Sequence, residues 1–115
     1  MEYGRFVRIC AQIYKTVETR FSFEDCMKVF AMFFDCYRDF MGKGHPIPSS
    51  YKQIAAIMEK MPSVQDGDRE FDLEPEDYEK MIPAYFLIDF PGSDYHISHF
   101  FAGNIRLYRY YEICD

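Results

Sequence analysis

The chain has no tryptophan, no Cys-x-x-Cys pair and no glycine-rich phosphate loop, and its 13 basic residues are outnumbered by 19 acidic ones. Cysteines at positions 10, 26, 36 and 114 lack the paired spacing of a zinc site or a redox motif. They fall in apolar stretches, where a free thiol packs as a small hydrophobe, so reduced thiols are expected. Neither Gly-x-x-x-x-Gly-Lys-Ser/Thr, Gly-x-Gly-x-x-Gly nor Gly-x-Ser-x-Gly occurs, which removes the linear signatures of phosphate loops, dinucleotide binding and the serine-hydrolase elbow. A formal net charge of -6 argues against nucleic-acid binding as a default, because such domains usually carry a basic footprint. The uncharged runs Met81 to Ile88 and Tyr95 to Ile105 fall far short of the roughly 18 apolar residues that mark a membrane span. The opening residues Met1-Glu2-Tyr3-Gly4-Arg5 have no apolar signal-peptide region. A cytoplasmic protein with no membrane attachment is therefore expected.

What is present is aromatic and locally acidic. Twelve Phe and ten Tyr in 115 residues supply large apolar side chains for one core, and that length corresponds to one domain. The charge is concentrated: residues 62–79 hold Arg69 against Asp66, Asp68, Glu70, Asp72, Glu74, Glu76, Asp77 and Glu79. The remainder of the chain is close to neutral.

Apolar periodicity organises the rest. Tyr3, Phe6, Cys10, Ile13 and Val17 recur at steps of three and four, predicting a helix over 2–19. Ser22 is a helix N-cap with Glu24 and Asp25 in the first turn, predicting a second helix over 23–41. Its stripe Phe23, Met27, Phe30, Phe34, Tyr37, Met41 is flanked by another, Cys26, Phe33, Phe40. So wide an apolar arc belongs to a helix that is central in the bundle or shared with a partner chain. Glu24 with Lys28, and Glu76 with Lys80, are spaced as ion pairs along a helix. Two glycines and two prolines in Gly42-Lys43-Gly44-His45-Pro46-Ile47-Pro48 stop the second helix. Ser49 or Ser50 caps a third through Lys60, with Tyr51, Ile54, Ala55, Met58 and Met61 facing inward. The acidic segment 62–74 reads as a loop turning at Asp66-Gly67-Asp68. A helix over 75–89 follows, with a kink or break near Ile82 caused by Pro83. Residues 105–113 are a helix or a short strand. The expected architecture is all-α: residues 1–115 as a single compact domain of about five helices, the first two an antiparallel hairpin.

Several residue sets carry candidate chemistry. His96 and His99, three apart, share a face if the segment is helical, a metal-binding spacing, but neighbouring residues supply no full ligand set, so packed or polar histidines are the simpler reading. The alternating acids from Asp66 resemble a calcium loop only superficially, because Phe71 stands where the turn needs glycine. Asp35 and Asp39 read as a solvated strip with Arg38. The segment from Tyr51 to Met58 is similar to the first helix of a helix-turn-helix, yet a turn and then acid follow it. Arg106, Tyr108, Arg109 and Tyr110 interleave cations and aromatics, a mixture used for stacking on single strands and, more commonly, for protein interfaces. No catalytic residue, cofactor or metal is assigned. The expected function is a non-enzymatic interaction domain that self-associates or binds a protein through aromatic and Met helix surfaces, with Phe33 and Phe40 as contacts. The alternatives are an acidic regulator or nucleic-acid mimic using Asp66, Asp68, Glu70 and Asp72, and a DNA-binding helical protein using residues 49–61 or 106–111.

Overall fold

The computed structural model describes residues 2–42, 50–66, 68–88 and 97–102. Five helices form within them: α1 (Tyr3–Tyr14), α2 (Phe23–Met41), α3 (Tyr51–Lys60), α4 (Tyr78–Ile88) and α5 (Ile97–Ala102). Between α3 and α4 lie two short strands, β1 (Ser63–Asp66) and β2 (Arg69–Asp72), and a 3-10 turn, Pro75–Asp77. The protein is thus mostly helical, with one small sheet that the sequence pattern did not lead us to expect.

The ends of α2 follow from its sequence. Ser22 Oγ accepts from the Asp25 N–H at 3.1 Å, and Gly42 adopts φ 71° at the other end while its N–H reaches the Arg38 carbonyl. A left-handed residue there suits glycine, which has no Cβ to clash. Helix α1 ends at Tyr14, short of the end expected at residue 19. Both the N–H and the hydroxyl of Thr16 bond to the Ile13 carbonyl at 2.8 Å, and Val17 donates to Tyr14; these three-residue bonds tighten the chain out of the helix. Val17 still packs against the core, so the periodicity outlasts the helix. In α3, Ser50 is the cap, Ile54, Ile57, Met58 and Met61 are buried, and Tyr51 is turned outward at 60% exposure. Helix α4 runs through Pro83 without a break. Pro83 is exposed, so the Glu79 carbonyl that loses its helical partner lies on the solvent side, where water can satisfy it.

Aromatic contacts fix how the helices pack. Tyr3 meets Phe34, Phe6 meets Phe30 and Tyr14 meets Phe23, so α1 and α2 run antiparallel, as expected. On its other side, α2 places Lys28 beside Glu76, Phe33 beside Tyr85, and Phe40 beside Phe86, so α2 and α4 run in the same direction. The wide apolar arc of α2 is therefore covered by two neighbours within the chain, and this helix is central. Buried residues from all five helices and the hairpin form one hydrophobic cluster. Each large side chain in it adds about 1.5–3 kcal/mol through burial.

The ion pairing of α2 differs in part from the sequence expectation. Lys28 reaches across to Glu76 at 3.3 Å rather than along its own helix to Glu24. Asp35 and Arg38 do pair, at 3.1 Å, as an exposed strip. No helix among the described residues is long and apolar enough to cross a membrane.

Candidate functional site: an acidic strand face

The segment expected as an acidic loop is an antiparallel hairpin. Ser63 pairs with Asp72, Val64 with Phe71, Gln65 with Glu70, and Asp66 with Arg69, so the chain reverses between Asp66 and Arg69, where the sequence marked a turn. Side chains alternate across a strand. Val64 is buried and Phe71 half-buried against the core, which puts Ser63, Glu70 and Asp72 on the opposite face. The alternation continues past β2: Leu73 and Pro75 are buried while Glu74 and Glu76 are exposed. Glu70, Asp72 and Glu74 consequently form an exposed file of carboxylates, and Glu76 follows it, exposed, in the 3-10 turn. An extended backbone spaces alternate residues about 6.6 Å apart.

An isolated two-stranded hairpin is marginal in water, so something must hold this one in place. The Leu73 N–H donates to the Pro62 carbonyl at 2.8 Å, closing the base. Arg20, from the link between α1 and α2, donates to the Pro62 carbonyl at 2.7 Å, to the Leu73 carbonyl, and to Glu74 Oε1 at 2.9 Å. Its guanidinium also lies 5.3 Å from the centre of the Phe21 ring. One side chain thus spans both strands at their root, while the Val64 and Phe71 side chains anchor the inner face. The Leu73 to Pro62 bond also sets the ladder's parity. Residues 64 and 71 form the next hydrogen-bonded pair, and the backbone groups of Glu70 and Asp72 point away from β1, along the outer edge of β2.

The four acids differ in their partners. Glu74 is held by Arg20, and Glu76 by Lys28. The pKa of Glu76 is lowered by its own backbone N–H and by the Lys28 ammonium. Among the described residues Glu70 and Asp72 have no ion pair, and both are exposed. Cations from this chain thus pair with two of the four acids.

The other candidate residues are distributed as follows. Asp68 is exposed at the turn; Asp66 is known only by its register opposite Arg69. Phe33 is corrected: it is 0% exposed and ringed by Tyr85, Phe86 and Phe100 at 5.1–6.1 Å, so it is a core residue out of reach of any partner. Phe40 is 48% exposed and stacks on Phe86 at 5.5 Å. Leu87, which the sequence pattern did not single out, is 74% exposed. His96, Arg106, Tyr108, Arg109, Tyr110 and Cys114 lie outside the described residues, as does the choice of helix or strand for 105–113; the side chain of His99 is also outside them. Helix α3 is followed by the hairpin rather than by a second helix, so residues 51–58 do not open a contiguous helix-turn-helix.

Burial pushes Cys10 and Cys26 up to about 12 and Cys36 up to about 11, and it is the thiolate that reacts. Among the described residues no three His, Cys, Asp or Glu side chains converge as a metal site. A groove of about 370 Å³ lies between α1 and α3, lined by Ile13, Thr16, Tyr51 and Ala55 among others. No family model matches the chain, and neither a curated protein nor a solved structure matches it.

Proposed function

We propose that this chain is a small protein-interaction module that offers the acidic face of β2 to a basic surface on a partner protein. The observation that carries this reading is the pair Glu70 and Asp72, exposed and without an ion pair among the described residues, on a hairpin clamped to the body by Arg20. A preorganised row of charge loses little freedom on docking, which favours affinity. Charge of one sign also steers a partner of the other during approach. A nucleic-acid-binding protein is the natural class of partner, since its basic groove is built to receive regularly spaced anions. In that case the module acts as an acidic regulator that competes with the nucleic acid. The test is capture of partners from the native host with wild-type protein and with the charge-neutral double variant Glu70→Gln, Asp72→Asn. A partner retained by wild type, weakened by salt and lost in the variant supports the reading; equal capture by both rejects it.

A second reading, self-association, draws on Phe40 and Leu87. Both are exposed near the same ends of the parallel helices α2 and α4. Light scattering at micromolar concentration, which separates monomer from dimer, tests it.

A further inference from the structure

The ring contacts between α1 and α2 set a register. Phe6 faces Phe30 with ring centres 5.1 Å apart, and Tyr14 faces Phe23 at 5.8 Å. Advancing along α1 from Phe6 to Tyr14 matches retreating along α2 from Phe30 to Phe23. Cys10 is midway on α1, and the residues midway on α2 are Cys26 and Met27. Of these two, Cys26 is the fully buried one, and Cys10 is fully buried as well. Phe6 also touches Phe34 at 5.4 Å, so Cys10, one turn further along α1, lies against the turn of α2 that carries Cys26, and both side chains are turned into the core. Both thiols are free; burial raises the pKa of Cys10, and repulsion from Cys26 adds to the rise. Packed helices sit about 8–10 Å apart axis to axis, with the smaller values at small side chains. Residues that face each other at such a seam approach the Cα separations of about 4.4–6.8 Å that a disulfide bridges.

We propose that Cys10 and Cys26 are a redox pair that closes into a disulfide, tying α1 to α2, when the chain meets a small-molecule disulfide oxidant. The exchange takes two steps. The thiolate of one cysteine attacks the oxidant's S–S bond, forming a mixed disulfide and releasing half of the oxidant as a thiol. The second cysteine, as its thiolate, then attacks the protein sulfur of that mixed disulfide; the protein S–S bond forms and the other half leaves as a thiol. Two electrons pass from the cysteine sulfurs to the oxidant, and the two thiol protons end on its released halves. In the closed fold both thiols are buried and strongly protonated, so the first attack waits on transient separation of α1 from the body. Closure is slow in the native state and is accelerated by mild denaturant. Once formed, the bond constrains the link between the helices and lowers the entropy of the unfolded chain.

The experiment uses the full chain, reduced and then equilibrated with oxidised glutathione, with and without denaturant below the unfolding midpoint. Remaining thiols are alkylated after unfolding, and cross-linked peptides are mapped by mass. The expected product is a monomer with a Cys10 to Cys26 cross-link, with a Tm higher than the reduced chain's by on the order of 10 °C. Adding a reductant restores the original Tm. A Cys36→Ser, Cys114→Ser variant isolates the pair from competing thiols and gives the same product. A bond from Cys10 or Cys26 to Cys36, Cys114 or a second chain overturns the proposal. So does a Cys10 to Cys26 bond that lowers the Tm, or thiols that stay fully alkylatable in the presence of denaturant.

Discussion

The phenol of Tyr78, the first residue of α4, donates to the backbone carbonyl of Met61 across 2.6 Å in a fully buried setting. It joins the end of α3 to the start of α4 and so closes the base from which the hairpin projects. Burial raises the Tyr78 pKa, and the nearby Asp77 adds to the shift, so the phenol remains a donor throughout the physiological range. Replacing Tyr78 with Phe keeps the ring and removes the donor, at an expected cost of about 1–2 kcal/mol. Urea unfolding measures it; an unchanged midpoint contradicts the role given to this bond.

Phe33 and Phe40 lie on the same helix and share one apolar stripe in the sequence, yet the first is in the core and the second is half exposed. Phe33→Ala is expected to destabilise by about 3–5 kcal/mol, the range for emptying an aromatic site in a core. Phe40→Ala should cost well under half as much. Parallel denaturation curves decide the order, and equal losses would contradict the placement of α2 between α1 and α4.

Arg20 is 42% exposed, so its ion pair with Glu74 contributes little beyond what solvent screening allows. Its bonds to the Pro62 and Leu73 carbonyls matter more, because they join both strands at their root. Arg20→Ala should loosen the hairpin locally while leaving the helices folded. Hydrogen exchange of the Val64 and Phe71 amides is expected to quicken about tenfold or more, the equivalent of roughly 1.4 kcal/mol. Exchange that quickens equally in α2 would point to global destabilisation instead.

Glu76, bonded by its own backbone N–H first and by Lys28 second, makes stability depend on pH. The folded-state pKa of Glu76 is depressed. Its contribution is therefore present above the carboxylate's ordinary pKa and is lost as pH falls through the depressed value. Thermal melts from neutral to strongly acidic pH should show a fall in that window, and Glu76→Gln should remove part of it. The effect is small because both groups are exposed.

Ser22 and Gly42 mark the ends of α2 because capping chemistry is local. The antiparallel pairing of α1 with α2 followed from matching apolar stripes and a short link. The hairpin was missed although its signal is present: Glu70-Phe71-Asp72-Leu73-Glu74-Pro75-Glu76 alternates acid with an apolar residue at the period of a strand. Four-residue strands give that period little length in which to show, and the density of acids resembles a solvated loop. Phe33 was misplaced for a different reason. Periodicity reports that a face is apolar, and only the packing of α4 and α5 shows that the chain covers that face itself. Val17 extended the apparent α1 because a residue beyond a helix can still point into the core.

The central claim is that the carboxylates of Glu70 and Asp72 form a docking face. Its most direct test is partner affinity measured against salt concentration for wild type and for Glu70→Gln, Asp72→Asn. Each ion pair lost should weaken binding and flatten the salt dependence, and a basic nucleic-acid-binding partner should release its nucleic acid to the wild-type chain but not to the variant. Identical affinity and identical salt dependence for the two chains would contradict the claim.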